Sequence, residues 1–304
     1  MNPPRSNDHL ARGDAQLAAR FATRTFTFER WLRQTDTSQV VVVHDDDARL
    51  VLKVGEASAI EREFTATREL NHGAIVRPTQ YLQGDTFSAL LMPYFEGSDI
   101  VDGTRRWVPE RLQTLRQNLP MAFGYEMNDL GENSFAHCGE EGERLLRPWL
   151  HTLVDVLTYI HARRRLHLDI APDNILVRGA QCVLLDFGLS SDLDQTQTDE
   201  GLIGSAAYLA PELGLRSLTP AADWYSLGVV LFQALSGGLP FEGGGPEVLV
   251  RKQSMNAPRV SELCPEVAPD LDELCASWLA RDPKRRGDGR ALLAVGGSLT
   301  LPSP

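Results

Sequence analysis

What the chain has little of narrows it first. Four cysteines stand in 304 residues, Cys138, Cys182, Cys264 and Cys275, with neither a CxxC pair nor a His/Cys metal spacing. That argues against a disulfide framework and a structural zinc, and for reduced, structural thiols. Long apolar runs are missing too. The longest near a helix, "LGVVLFQAL" at 227–235, is too short to span a bilayer. The polar opening "MNPPRSNDHLARGDAQ" has no apolar h-region, so no secretory signal and a cytoplasmic location are expected. Positive charge is also scarce. With 30 Lys+Arg against 41 Asp+Glu the net charge is −11, which gives nucleic-acid binding no electrostatic support. The 42% hydrophobic and 23% charged content is that of an ordinary globular protein, long enough for one large domain or two lobes.

What is present changes character along the chain. Residues 1–22 read as a polar leader. "TFTFERWL", "QVVVVHDD" and "ARLVLKVG" read as three strands separated by polar turns. "EASAIEREFTATRELN" (56–71) has helical spacing and ends near Asn71 and Gly73, and "FSALLMPYF" (87–95) reads as a buried strand. Beyond residue 97 helices dominate. "RPWLHTLVDVLTYIHARRR" (147–165) gathers Leu150, Leu153, Val154, Leu157 and Ile160 on one face. Residues 218–238 predict a buried helix with Thr219 as N-cap, Pro220 in the first turn and Gly-Gly at the end. A third amphipathic helix is expected at 269–282 and a further one at 109–119. A Gly- and acid-rich stretch within 120–143 reads as a surface insert.

Four short motifs carry chemistry. Lys53 sits in the apolar strand "LVLKVG", where it must reach water or find an anion, and Glu63 on the next helix offers one. "LHLDIAPDNILV" (166–177) holds Asp169 and Asn174 on a proline-stiffened loop. The first has a carboxylate that takes a proton from a hydroxyl, the second an amide oxygen that ligates a cation. "CVLLDFGLS" (182–190) ends a strand in Asp186 followed by Gly188, a common setting for a metal-binding carboxylate. "GSAAYLAPEL" (204–213) carries Glu212, and Arg286 downstream offers a buried partner for it. Each piece alone has a plainer reading, as a surface lysine, a solvated helix charge or a turn at a strand end.

Their order is more specific than any one of them. Lys53, Glu63, Asp169, Asn174, Asp186, Glu212, Asp223 and Arg286 follow the sequence order of the protein-kinase signature set. Over about residues 26–295 the chain resembles a eukaryotic-type (Hanks-type) protein kinase of the Ser/Thr class, as found also in bacteria. The resemblance implies an α+β, two-lobed fold. Residues 23–97 would form a small antiparallel lobe with one helix and the hinge, residues 98–295 a larger helical lobe, and 296–304 a tail. It implies a serine/threonine kinase that transfers the ATP γ-phosphate to a protein hydroxyl, with Mg²⁺ as cofactor and neither nucleic acid nor membrane as partner.

By that resemblance Lys53 holds the ATP phosphates and Glu63 pairs with it. Asp169 takes the substrate proton, and Asn174 and Asp186 ligate Mg²⁺. Met92 and Tyr94 border the adenine at the gatekeeper and hinge, and Asp223 anchors the catalytic loop. His167 and Phe187 belong to the apolar stack, and Glu212 and Arg286 form a structural pair. Asp173 stands where the family has a Glu without chemical work. The "APE" and "DWYSLG" segments belong to protein-substrate docking architecture, which small-molecule kinases lack.

The sequence departs from the family pattern at several positions. The phosphate loop "LRQTDTSQV" (32–40) has no glycines, so the hydroxyls of Thr35 and Ser38 are expected to donate instead, with Asp36 repelling phosphate if turned inward. Leu168 replaces the usual Arg, which predicts activity independent of activation-loop phosphorylation. Ala171 replaces a Lys, and Thr67 a bulky apolar residue of the stack. These losses keep open the alternative of a pseudokinase acting as a binding or scaffold module.

Overall fold

The computed structural model describes residues 26–35, 37–45, 48–105, 139–192, 206–213, 218–243 and 246–289. The leader, Asp36, the helix expected at 109–119, most of the insert and the tail lie outside them. The chain divides into two compact units. One runs up to Glu96 and takes in Asp186–Gly188; the other holds Gly97–Leu185 and the chain from Leu189 onward.

The first unit is built on β1 (Thr27–Gln34), β2 (Ser38–Asp45), β3 (Ala48–Glu56), β4 (Gln80–Leu82) and β5 (Phe87–Pro93). They form an antiparallel sheet in the order β1-β2-β3-β5-β4. Alternation along each strand sends Val41, Val43, Leu52, Val54, Ala89 and Leu91 into one apolar cluster, closed by Phe26 and Leu82. Lys53, between Leu52 and Val54, therefore points to the opposite face, in register with Val40 and Leu90. Helix α1 (Ala57–Thr67) packs against β3 and β5. It ends four residues before the expected Asn71. The Thr67 hydroxyl donates back to the Glu63 carbonyl at 2.8 Å, a bond that lets this β-branched residue sit buried in the last turn.

The second unit holds β6 (Ser98–Asp99), α2 (Ile100–Arg105), α3 (Gly139–Ala162), β7 (Arg165–Leu166), β8 (Ile175–Arg178), β9 (Gln181–Leu184), β10 (Ser191–Asp192), α4 (Ala221–Ser236), α5 (Pro246–Ser254), α6 (Val260–Leu263) and α7 (Pro269–Trp278). Helix α3 corrects the sequence reading, because residues 139–143, expected in the surface insert, are its first turns. Glu140 and Glu141 suit the positive end of the helix dipole, and Glu143 is buried and accepts the Ala268 N–H at 3.1 Å. Helix α4 is buried nearly all round, as expected. Its N-cap is Pro220, not Thr219, whose backbone carbonyl accepts the Ala222 N–H at 2.9 Å while its side chain caps nothing. At the other end Gly237 takes φ 78°, the left-handed conformation a helix-ending glycine supplies. Helix α7 stops at Trp278, four residues before Asp282. Cys182, Cys264 and Cys275 are buried free thiols. Among the described residues no helix is long and apolar enough to cross a membrane.

Candidate active site

In the first unit the site grows from the strand alternation that turns Lys53 toward α1. Glu63, two turns into that helix, reaches the ammonium at 2.7 Å, and Asp186 reaches it at 2.8 Å. One cation thus serves two carboxylates. Burial opposes the Lys53 charge, but the two acids outweigh it and hold its pKa above the ordinary lysine value. Burial pushes the Glu63 carboxyl up to about 7, with Asp186 adding repulsion and Lys53 opposing. Asp186 sits at φ 56°, a left-handed conformation that Asp tolerates better than most residues, and its Oδ1 accepts the Gly188 N–H at 3.1 Å. A Cβ on Gly188 would lie 3.1 Å from that Oδ1 and 3.5 Å from Glu63 Oε2, so glycine is what lets the cluster close. Phe187, between them, is buried.

The same unit holds the other nucleotide candidates. Met92 lies on β5 opposite Val51 and is half-buried. The Tyr94 ring lies under the Arg49 guanidinium at 4.3 Å, and its hydroxyl accepts from Arg30 at 2.9 Å. In the β1–β2 turn the Thr35 hydroxyl donates to the Ser38 carbonyl at 3.0 Å and accepts the Ser38 N–H at 3.0 Å. Its single proton serves the turn. The Ser38 hydroxyl lies 3.3 Å from that of Thr35.

In the second unit Asp223 organises the catalytic loop. Its fully buried carboxylate accepts the N–H of His167 at 2.9 Å and of Leu168 at 2.8 Å, and meets His161 Nε2 at 2.8 Å. Burial works against its charge, yet the His161 imidazole and the His167 amide hold the carboxyl below its usual range. Two consecutive N–H groups turned to one carboxylate account for Leu168 standing at φ 64°, which costs a side-chain-bearing residue of order 1 kcal/mol or more. His167 Nδ1 accepts the Asp169 N–H at 3.2 Å, so its proton is on Nε2 and donates to the Leu185 carbonyl at 3.0 Å. Asn174 uses both amide hydrogens on Asp169, one on the carbonyl and one on Oδ2, each at 2.8 Å. Its Oδ1 has no hydrogen-bond partner among the described residues. The site residue that sequence reasoning missed here is His161; its only signal was a histidine at the end of an amphipathic helix.

Glu212 and Arg286 meet in a buried two-point ion pair at 2.6 and 2.8 Å. The three remaining guanidinium N–H groups reach the carbonyls of Ala280, Ala221 and Arg281, so all five donors are used.

A model of the protein kinase domain matches residues 32–294. CBL-interacting serine/threonine-protein kinase 12 of Arabidopsis thaliana is 26% identical over 270 residues, 86% of this chain and 48% of that protein. Serine/threonine-protein kinase PknA of Mycobacterium tuberculosis is 37% identical over 134 residues, 43% of this chain and 31% of PknA. The chain spans about half the length, or less, of these curated relatives. Among solved structures the Cydia pomonella granulovirus kinase PK-1 matches with a TM-score of 0.69 at 19% identity, over 93% of this chain and 97% of that one, a likeness of α+β kinase fold. The family model spans most of the sequence, and the chain belongs to the protein kinase domain family, with Ser/Thr kinases among its relatives.

Proposed function

We propose that this chain is a serine/threonine protein kinase that transfers the γ-phosphoryl group of Mg-ATP to a protein hydroxyl. The observation that carries the reading is Lys53 held between Glu63 and Asp186, a charged amine fixed for phosphate with a carboxylate beside it for a cation. The Asn174 amide oxygen, left as an acceptor by the two bonds to Asp169, suits a hard cation, and Mg²⁺ takes such isolated oxygens together with substrate phosphates rather than a cage of acids. Asp186 in the first unit and Asn174 in the second are proposed as ligands of two Mg²⁺ ions. Mg²⁺, when bound, neutralises charge on the phosphates.

The chain's own residues do the rest. Lys53 orients the α- and β-phosphates, and Glu63 keeps its ammonium in place. Asp169, with one carboxylate oxygen fixed by Asn174, orients the substrate hydroxyl and accepts its proton. Met92 and Tyr94 border the adenine. Ser38 is the hydroxyl donor of the phosphate loop, and Thr35 shapes its turn. His167, Phe187, Asp223, Glu212 and Arg286 keep these groups placed. Leu168 offers no cation to a phosphorylated loop, so activity does not depend on activation-loop phosphorylation.

The test is incubation with radiolabelled Mg-ATP and a basic protein, beside Asp169→Asn. Wild type is expected to transfer label at least a hundredfold faster than the variant. Label equal to the variant's removes the enzyme and leaves a binding module.

A further inference from the structure

Strand β1 leads into the β1–β2 turn, proposed above as the phosphate loop, yet the core does little to hold it. It is an edge strand, bonded to β2 alone among the described residues, and seven of its eight residues are exposed. Its pairing with β2 slips twice, once between Phe28 and Arg30 and once between Trp31 and Arg33. Such a slip breaks the ladder locally and re-aims side chains. Neighbours on a regular strand point to opposite faces. Across the first slip Glu29 and Arg30 instead reach one and the same cluster.

Glu29 reaches over two strands. His44 on β2 meets its Oε2 at 2.7 Å, and Arg49 on β3 grips both oxygens, Nε donating to Oε2 at 2.8 Å and Nη2 to Oε1. The Arg49 hydrogen bonds, with His44 behind them and burial opposing, hold the carboxyl down to about 2, so it stays charged at neutral pH. The Arg49 guanidinium then covers the Tyr94 ring, and Arg30 returns from β1 to the Tyr94 hydroxyl at 2.9 Å. The circuit Glu29–Arg49–Tyr94–Arg30 begins and ends on β1. It ties that strand to β3 and to the residue following β5, neither of which pairs with it in the sheet. The turn at the far end of β1 is closed on itself by Thr35 and Ser38. Its place therefore depends on how its two strands are held, β2 by its buried valines and β1 by this circuit.

We infer that Arg30 is a positioning residue for the nucleotide, its bond to the Tyr94 hydroxyl setting β1, and the loop that β1 leads into, against the phosphates of ATP. This deepens the kinase reading and rests on it. The loop serves the phosphate end, so Mg-ATP should feel the bond and adenosine should not.

The test is calorimetric titration of the full chain with Mg-ATP and with adenosine. Tyr94→Phe keeps the ring and removes the acceptor with no change of charge. Arg30→Met removes the donor together with a charge. Each is expected to raise the Kd for Mg-ATP about threefold or more, the worth of one exposed hydrogen bond, and to leave the Kd for adenosine within about 1.5-fold of wild type. The double variant is expected to bind Mg-ATP no more weakly than the worse single one, because both substitutions break the same bond. An unmoved Mg-ATP constant in Tyr94→Phe, an equal rise for adenosine, or losses that multiply in the double variant overturns the inference. Should Arg30→Met not fold, the two constants of Tyr94→Phe decide alone. If wild type binds no Mg-ATP, the kinase reading and this inference fall together. If wild type and the variants bind it equally well, the inference alone falls.

Discussion

Burial, with the repulsion of Asp186 added and Lys53 opposing, makes Glu63 a pH-sensitive group of the first unit. Its carboxyl titrates near 7 when folded, against 4.5 for the ordinary group. As pH rises from about 4.5 through about 7, the unfolded chain releases this proton before the folded one does. The folded state then binds more protons, and the group's contribution to stability falls with rising pH. Asp186→Asn removes the competitor for Lys53, so the Glu63 midpoint is expected to fall by about one unit or more in a ¹³C carboxyl titration by NMR. An unmoved midpoint would show that the two acids do not share the cation. Arg286 poses the opposite case, a charge with every donor used. Arg286→Met leaves the buried Glu212 carboxylate unpaired and is expected to cost about 3–5 kcal/mol in urea unfolding. Arg286→Lys, with three donors for five acceptors, should recover only part of it.

At the scale of elements, helix contacts rest on small residues as much as on large ones. Gly228 in α4 faces α7, and a Cβ there would stand 2.9 Å from the Trp278 Cβ and 3.2 Å from Leu279. The Leu279 methyl can turn aside, but the Trp278 Cβ is fixed to its backbone, so the helices must part. Gly228→Ala is expected to destabilise the second unit by about 1–3 kcal/mol, read as a lower denaturation midpoint with little change in the Lys53 cluster. The elements also mark what a sequence can tell. The Val- and Leu-rich runs "QVVVVHDD" and "ARLVLKVG", bounded by polar turns, foretold β2 and β3, because strand formation here is a local fact; the face on which Lys53 stands came with the structure. The start of α3 was misread because "GEEGE" is poor in apolar residues; Glu143 is buried by its bond to Ala268, 125 residues away.

For the whole molecule, the order of motifs carried the family, and residue-level partnerships beyond it were hidden in proportion to their separation. His161 meets Asp223 from 62 residues away, and Lys252 meets Ala206 from 46. Neither pairing leaves a periodic trace. The Thr35 hydroxyl, three residues from its partner, was hidden for another reason, since a hydroxyl satisfied inside a turn and one offered to a phosphate have the same letter. Net charge acts at this scale as well. With −11 on the chain, the kinase proposed above is expected to draw basic proteins toward it, and salt to screen that attraction. The rate on a basic protein at subsaturating concentration is expected to fall about threefold or more between about 50 and 300 mM KCl, and the rate on an acidic one to fall less. Equal loss on both would rule out steering.

The three lysines also make the molecule readable by covalent chemistry. Lys284 is exposed, the Lys53 side chain is 12% exposed, and Lys252 is 1% exposed. An amine-acylating reagent should therefore mark Lys284 at once. It should mark Lys53 efficiently when carried on a nucleotide, and Lys252 only after the second unit has opened. One peptide map of acylated lysines would report surface, proposed nucleotide site and unfolding as three separate signals from one sample.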